Sequence, residues 1–106
     1  NNNILQIKKN IENKKFRIGE FLGIMKFSNH GCEIFIKKYD HALKKINTSF
    51  HDATSISKAY LTDMIQELID CNVNVVPVLI SGKWCEIDTL QDLKNAEKKF
   101  SDYSLE

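Results

Sequence analysis

Residues 61–80 place the tightest constraint on what this chain can fold into. Leu61, Met64, Ile65, Leu68 and Ile69 recur at intervals of three and four, so they line one face of a helix. Asp63, Gln66, Glu67 and Asp70 fall outside that stripe. Asn72 stands where a left-handed residue commonly closes a helix. The next residues, Val73 to Ile80, are rich in β-branched side chains and read as a buried strand. A helix that runs at once into such a strand points to layered packing of helices on a sheet.

The rest of the chain extends that pattern. Ile4 to Ile7 reads as a short strand and Phe16 to Phe27 as a longer one, and the polar residues between them would allow a hairpin. Gly19 and Gly23 lie inside the longer run, where glycine marks a bulge or a close approach to the backbone. Ser28 or Asn29 can cap a helix beginning after Gly31, with Phe35, Tyr39, Ala42, Leu43 and Ile46 on one face. Asn47 to Thr54 is polar and loop-like. After Val73–Ile80, Ser81-Gly82-Lys83 makes a turn and Trp84 to Ile87 a returning strand. Thr89 and Asp92 approximate a capping box for a last helix that carries Leu90, Leu93, Ala96 and Phe100. The tail from Ser101 is expected to fray. The order β-β-α-α-β-β-α predicts an α/β fold, a mixed β-sheet with packed helices.

Size and charge exclude several functions. The chain has 106 residues, which suits a single domain with a modest core. Its 15 Lys and Arg against 14 Asp and Glu leave a net charge of +1, and the basic pairs are scattered among acids. That balance argues against a nucleic-acid partner and against a polybasic membrane patch. The longest apolar stretch, Val75 to Ile80, is far short of the roughly 20 residues needed to span a bilayer. Asn1-Asn2-Asn3 has neither the charged nor the apolar region of an export signal. Cys32, Cys71 and Cys85 form no C-x-x-C pair, and an odd, widely spaced set fits reduced thiols and a cytoplasmic location.

Three places could carry chemistry. Asp88 ends a strand at the residue before a helix, where a hard cation and a phosphate could be held; it could equally help to cap that helix. Glu20, between Gly19 and Gly23, could approach a ligand hydroxyl or ammonium group without crowding, or simply face solvent on an edge strand. Tyr60 and Asp63 lie three apart at the start of the strongest helix, near the positive end of its dipole, and are also ordinary first-turn residues. His30, Cys32, His41, His51 and Cys85 match no zinc spacing. Neither G-x-x-x-x-G-K-[ST] nor G-x-G-x-x-G occurs, so those two phosphate cradles are excluded.

Three stretches together resemble a family. Ile18 to Ser28, Lys58 to Ile69 and, most specifically, Trp84 to Leu93 are similar, in the same order, to segments of nucleotidyltransferases that act on phosphate or phosphonate monoesters. The nearest groups are the phosphocholine cytidylyltransferases and the cytidylyltransferases of phosphonate synthesis, the latter often fused to phosphoenolpyruvate mutase. The resemblance runs from about Ile4 to Phe100.

It implies a nucleotide-diphospho-sugar-transferase-like fold, of which residues 1–106 would form the acceptor-binding C-terminal portion, as a single domain or a fragment. By the resemblance, Asp88 is the catalytic metal ligand, holding Mg2+ between the nucleotide and the acceptor phosphate. Glu20 faces the acceptor, Trp84 and Glu86 line its side, Lys9 contacts phosphate, and Tyr60 and Asp63 occupy motif positions on the substrate side. The expected substrates are a nucleoside triphosphate, CTP by resemblance, and a small phosphorylated acceptor. The family's glycine-rich nucleotide loop is absent, and Lys8 replaces the usual glycine before Lys9. These departures imply that the chain alone does not catalyse transfer and needs an N-terminal half. The alternative is a non-catalytic regulatory or homodimer-forming module derived from the same fold.

Overall fold

A computed structural model describes residues 2–12 and 15–101. The tail expected to fray lies mostly outside the described residues. Within them the chain forms three α-helices and one 3-10 turn: α1 is Asn29–Lys45, the 3-10 turn is Ile56–Lys58, α2 is Leu61–Asp70 and α3 is Leu90–Lys99.

Helix α1 begins three residues earlier than expected, with Gly31 inside its first turn. Ser28 is the cap, and its Oγ accepts a hydrogen bond from the Gly31 N–H at 2.9 Å. The Phe27 ring meets Phe35 edge-on at 5.5 Å and fixes the entry angle of the chain. Only Ala42 of the predicted stripe is buried; Tyr39 and Leu43 remain exposed.

The stripe on α2 does more. Met64, Ile65 and Leu68 are buried and join Ala42 and Phe50 in one cluster, with Phe35, Ile46, Ile56 and Ile69 packed around it. This is the core, and it lies between α1 and α2. Asn72 closes α2 as expected, at φ 63°. Asn72 N–H bonds to the Ile69 carbonyl at 3.0 Å and Val73 N–H to the Leu68 carbonyl at 2.9 Å, the paired bonds of a Schellman ending.

The predicted sheet is not formed. Among the described residues there is no strand: Ile4–Ile7, Phe16–Phe27, Val73–Ile80 and Trp84–Ile87 are neither paired in ladders nor helical. The mixed α/β reading is therefore corrected to a helical one. A strand is stabilised by its neighbours, and isolated extended segments or pairs are at best marginal in water. Here a single backbone bond, from Ile4 N–H to the Val75 carbonyl at 2.7 Å, joins the first and third of these segments. Gly23, at φ 85°, turns the second segment and leaves Ile24 84% exposed. A lone two-way bridge does occur, between Phe50 and Ala53, in a tight turn with His51 at φ 54°.

Three of the four unpaired segments nevertheless touch the core. Ile7, Met25, Val73 and Val75 pack against it, and Ile7 N–H donates to Gln66 Oε1 on α2 at 2.8 Å. Beyond Pro77 contact is lost, and Val78 is 86% exposed. Helix α3 starts at a complete capping box. Asp92 N–H donates to Thr89 Oγ1, and Thr89 N–H donates to Asp92 Oδ2, both at 3.0 Å. Ala96 is buried on α3 but does not belong to the α1–α2 cluster.

Candidate functional site

The expected site residues fall into two groups, one at each helix start, with Glu20 apart from both. At α2, Tyr60 is the residue that precedes the helix, and it is 68% exposed. The Lys9 ammonium lies 5.2 Å from the centre of that ring, within cation–π range. So the structure brings together Lys9 and Tyr60, which lie far apart in sequence. Tyr60 also stands on the rim of a cavity of about 350 Å³ between α1 and α2, whose walls include Phe35, Tyr39, Phe50, Ile56 and Met64. The lining is mostly apolar, and Lys9 is not part of it.

Asp63 has a different place from the one its position outside the apolar stripe suggested. It is 4% exposed, and both carboxylate oxygens are used. Oδ2 accepts from Tyr60 N–H at 2.9 Å, and Oδ1 accepts from Asp52 N–H at 3.1 Å. The first bond satisfies an orphan donor at the helix start; the second pins the Phe50–Ala53 turn to α2. Asp63 thus ties the start of α2 to the Phe50–Ala53 turn.

The second group lies along 84–88 and the start of α3. The Lys99 ammonium donates to the Trp84 carbonyl at 2.5 Å and lies 6.0 Å from the centre of the Trp84 ring. Glu86 is exposed. Asp88 does not cap α3 with its side chain. The cap is Thr89, and Asp88 contributes only its backbone N–H, which donates to Asp92 Oδ2 at 3.1 Å. No hydrogen bond or ion pair engages the Asp88 carboxylate among the described residues. The Asp92 carboxyl, by contrast, is held below the ordinary carboxylate range by the Asp88 N–H, then by the Thr89 hydroxyl and the Thr89 N–H.

Glu20 is exposed and shares no bond with either group, and none joins Lys9 to the 84–88 segment. Among the described residues no group of three or more His, Cys, Asp and Glu side chains could hold a metal ion. One cluster escaped the sequence reading. His51 Nε2 lies 3.1 Å from Glu67 Oε1, and its Nδ1 lies 3.9 Å from Asp70 Oδ2. The signal was the pair of acids three apart on α2; what hid it was the 16-residue separation from His51. Among the described residues no helix is long and apolar enough to cross a membrane.

With the geometry in place, the chain can be set beside known proteins. No family model matches it, and no solved structure matches it. A sequence similarity does exist: the chain is 32% identical over 75 residues to the CTP:phosphoglutamine cytidylyltransferase of Campylobacter jejuni. The matched residues are 71% of this chain and 28% of that enzyme, so the chain spans well under half the length of its relative. The similarity supports a cytidylyltransferase-like relationship and no more than that.

Proposed function

We propose that this chain is the acceptor-side portion of a nucleotidyltransferase that moves CMP from CTP to a small phosphorylated acceptor and releases pyrophosphate. The observation that carries the reading is the similarity to a cytidylyltransferase, together with an Asp88 carboxylate left unbonded beside a helix start. The relative's name contains phosphoglutamine. Phosphoglutamine, phosphocholine and an aminoalkylphosphonate are all small phosphorus-bearing acceptors, and their anionic group suits Lys9.

Asp88 is the residue suited to Mg2+. Magnesium prefers hard oxygen ligands and is commonly held by one or two carboxylates plus substrate phosphates and water, so a single open carboxylate fits one position. The ion, when bound, would neutralise charge that develops on the phosphate oxygens. Asp88 would hold the acceptor side of that arrangement, while Lys9 offsets the acceptor's own charge and Trp84 shields it from solvent. In this reading catalysis is mainly positioning and charge stabilisation, and the chain by itself does not turn over.

Pyrophosphate release measured with CTP, Mg2+ and each of the three acceptors tests this. The isolated chain is expected to be silent. In a longer polypeptide containing these residues, Asp88→Asn should abolish Mg2+-dependent release without changing the helical circular dichroism. Robust turnover by the isolated chain would sink the portion reading, and full activity of Asp88→Asn would remove Asp88 from the metal.

A further inference from the structure

The geometry points to Asp92 as a positioning residue: it sets where α3 begins and so keeps the Asp88 carboxylate free, a role that rests on the reading of Asp88 as the metal-side group. Two helix starts compete in this stretch of sequence. A capping box needs a short polar residue and, three residues on, a side chain that reaches back to its N–H. Thr89 with Asp92 meets that pattern, and so does Asp88 with Gln91, one residue earlier. Taken alone, the earlier start is the better one. Asp ranks above Thr as a cap, and its charge suits the positive end of the helix dipole. Gln is also a usual third residue of the box, where Asp is not.

The structure nevertheless uses the later start. Thr89 is the extended cap residue, at φ −127° and ψ 165°, and its Oγ1 accepts from Asp92 N–H at 3.0 Å. Gln91 does not reach back; its side-chain amide donates to Asn95 Oδ1 at 3.0 Å. Asp92 Oδ2 takes both the Thr89 N–H at 3.0 Å and the Asp88 N–H at 3.1 Å. The second of these bonds goes beyond a capping box. It fastens the residue before the cap through its backbone, so Asp88 stays outside the helix with its side chain unspent. One carboxylate holding two successive N–H groups tips the choice between the starts.

Without Asp92 the balance reverses. Asp88 becomes the cap, Thr89 enters the first turn, and the Asp88 carboxylate turns to the Leu90 or Gln91 N–H. A cation must then break that bond to bind. Helix and site thus compete for one carboxylate, and Asp92 decides the competition. Thr89→Ala, by contrast, keeps both bonds to Asp92 Oδ2 and so keeps the start where it is.

Two measurements test this: nuclear magnetic resonance of the chain, and Mg2+ titration of pyrophosphate release by a longer polypeptide containing it. In Asp92→Ala the Thr89 Cα shift should move from extended to helical, with α3 lengthened by one residue. Half-maximal release should need roughly tenfold more Mg2+, the size of one charge-assisted hydrogen bond that binding must break. Asp92→Glu, which supplies the usual third residue of the box, should return both readouts to the parent values. Adding Asp88→Ala to Asp92→Ala removes the substitute cap, and the start of α3 should then fray. A Thr89 that stays extended in Asp92→Ala, or fraying there without a new cap, would overturn the role of Asp92 and leave the metal to be judged by Asp88→Asn. A moved cap with an unchanged Mg2+ requirement would instead remove Asp88 from the metal, and this role of Asp92 with it.

Discussion

Residues 61–70 and residues 73–80 adjoin each other in sequence, and the second stretch is the more apolar of the two, yet they end in opposite environments. Helix α2 satisfies its own backbone and needs only one face covered, which α1 and the Phe50 turn supply. The segment after it cannot satisfy its backbone alone. It makes one bond to Ile4, packs Val73 and Val75 on the core, and leaves the rest in solvent. Apolar content therefore does not decide burial here. What decides it is whether the secondary structure closes on itself or needs a neighbour.

The contrast can be broken by substitution, beginning with the largest effect. Leu68→Ala, in the buried cluster, should cost about 2–5 kcal/mol in denaturant unfolding, and Met64→Ala a comparable amount. A loss under about 1 kcal/mol would mean that α1 and α2 are not the stability centre. Asp63→Ala comes next. It strands the Tyr60 and Asp52 N–H groups and should cost about 1–3 kcal/mol, with amide exchange accelerating through the Phe50–Ala53 turn.

Thr89→Ala removes the α3 cap and should cost about 1 kcal/mol, read as local fraying of residues 90–93 rather than global unfolding. The same cap responds to acid. The Asp92 carboxyl is lowered when folded, so its contribution is present above the ordinary carboxylate range and is lost as pH falls through the lower folded value. NMR titration should show α3 loosening at its start in that acidic window. At the small end, Val76→Lys in the dilute chain should change stability by no more than about 0.5 kcal/mol, measured by the same denaturant curve that detects Leu68→Ala.

Much of the helical half was legible in sequence because its signals are local. Asn72 sits at the left-handed position its side chain tolerates, and Thr89 and Asp92 exchange the bonds their spacing implies. Periodicity also found Met64, Ile65 and Leu68. It misplaced Asp63, because a face-counting rule sees a polar residue outside the stripe and not the Asp52 N–H that draws it inward. The β-branched run at Val73–Ile80 truly signals a preference for extended chain, but a ladder is a property of two segments, and the needed neighbour is not encoded in the run itself. Of the site, Tyr60 and Lys9 do meet, Asp88 is open, and Glu20 stands alone. The resemblance supplied residue identities; their separation is a matter of long-range packing that no short motif records.

The ending of α2 has one more consequence. Because Asn72 and Val73 are fastened to Ile69 and Leu68, the direction in which the chain leaves the helix is set before any strand partner arrives. The apolar arm is therefore already aimed, and whatever meets it finds a surface that has lost part of its orientational freedom. Replacing Asn72 with valine, which resists a positive φ, would release the aim without touching a single apolar contact of the arm.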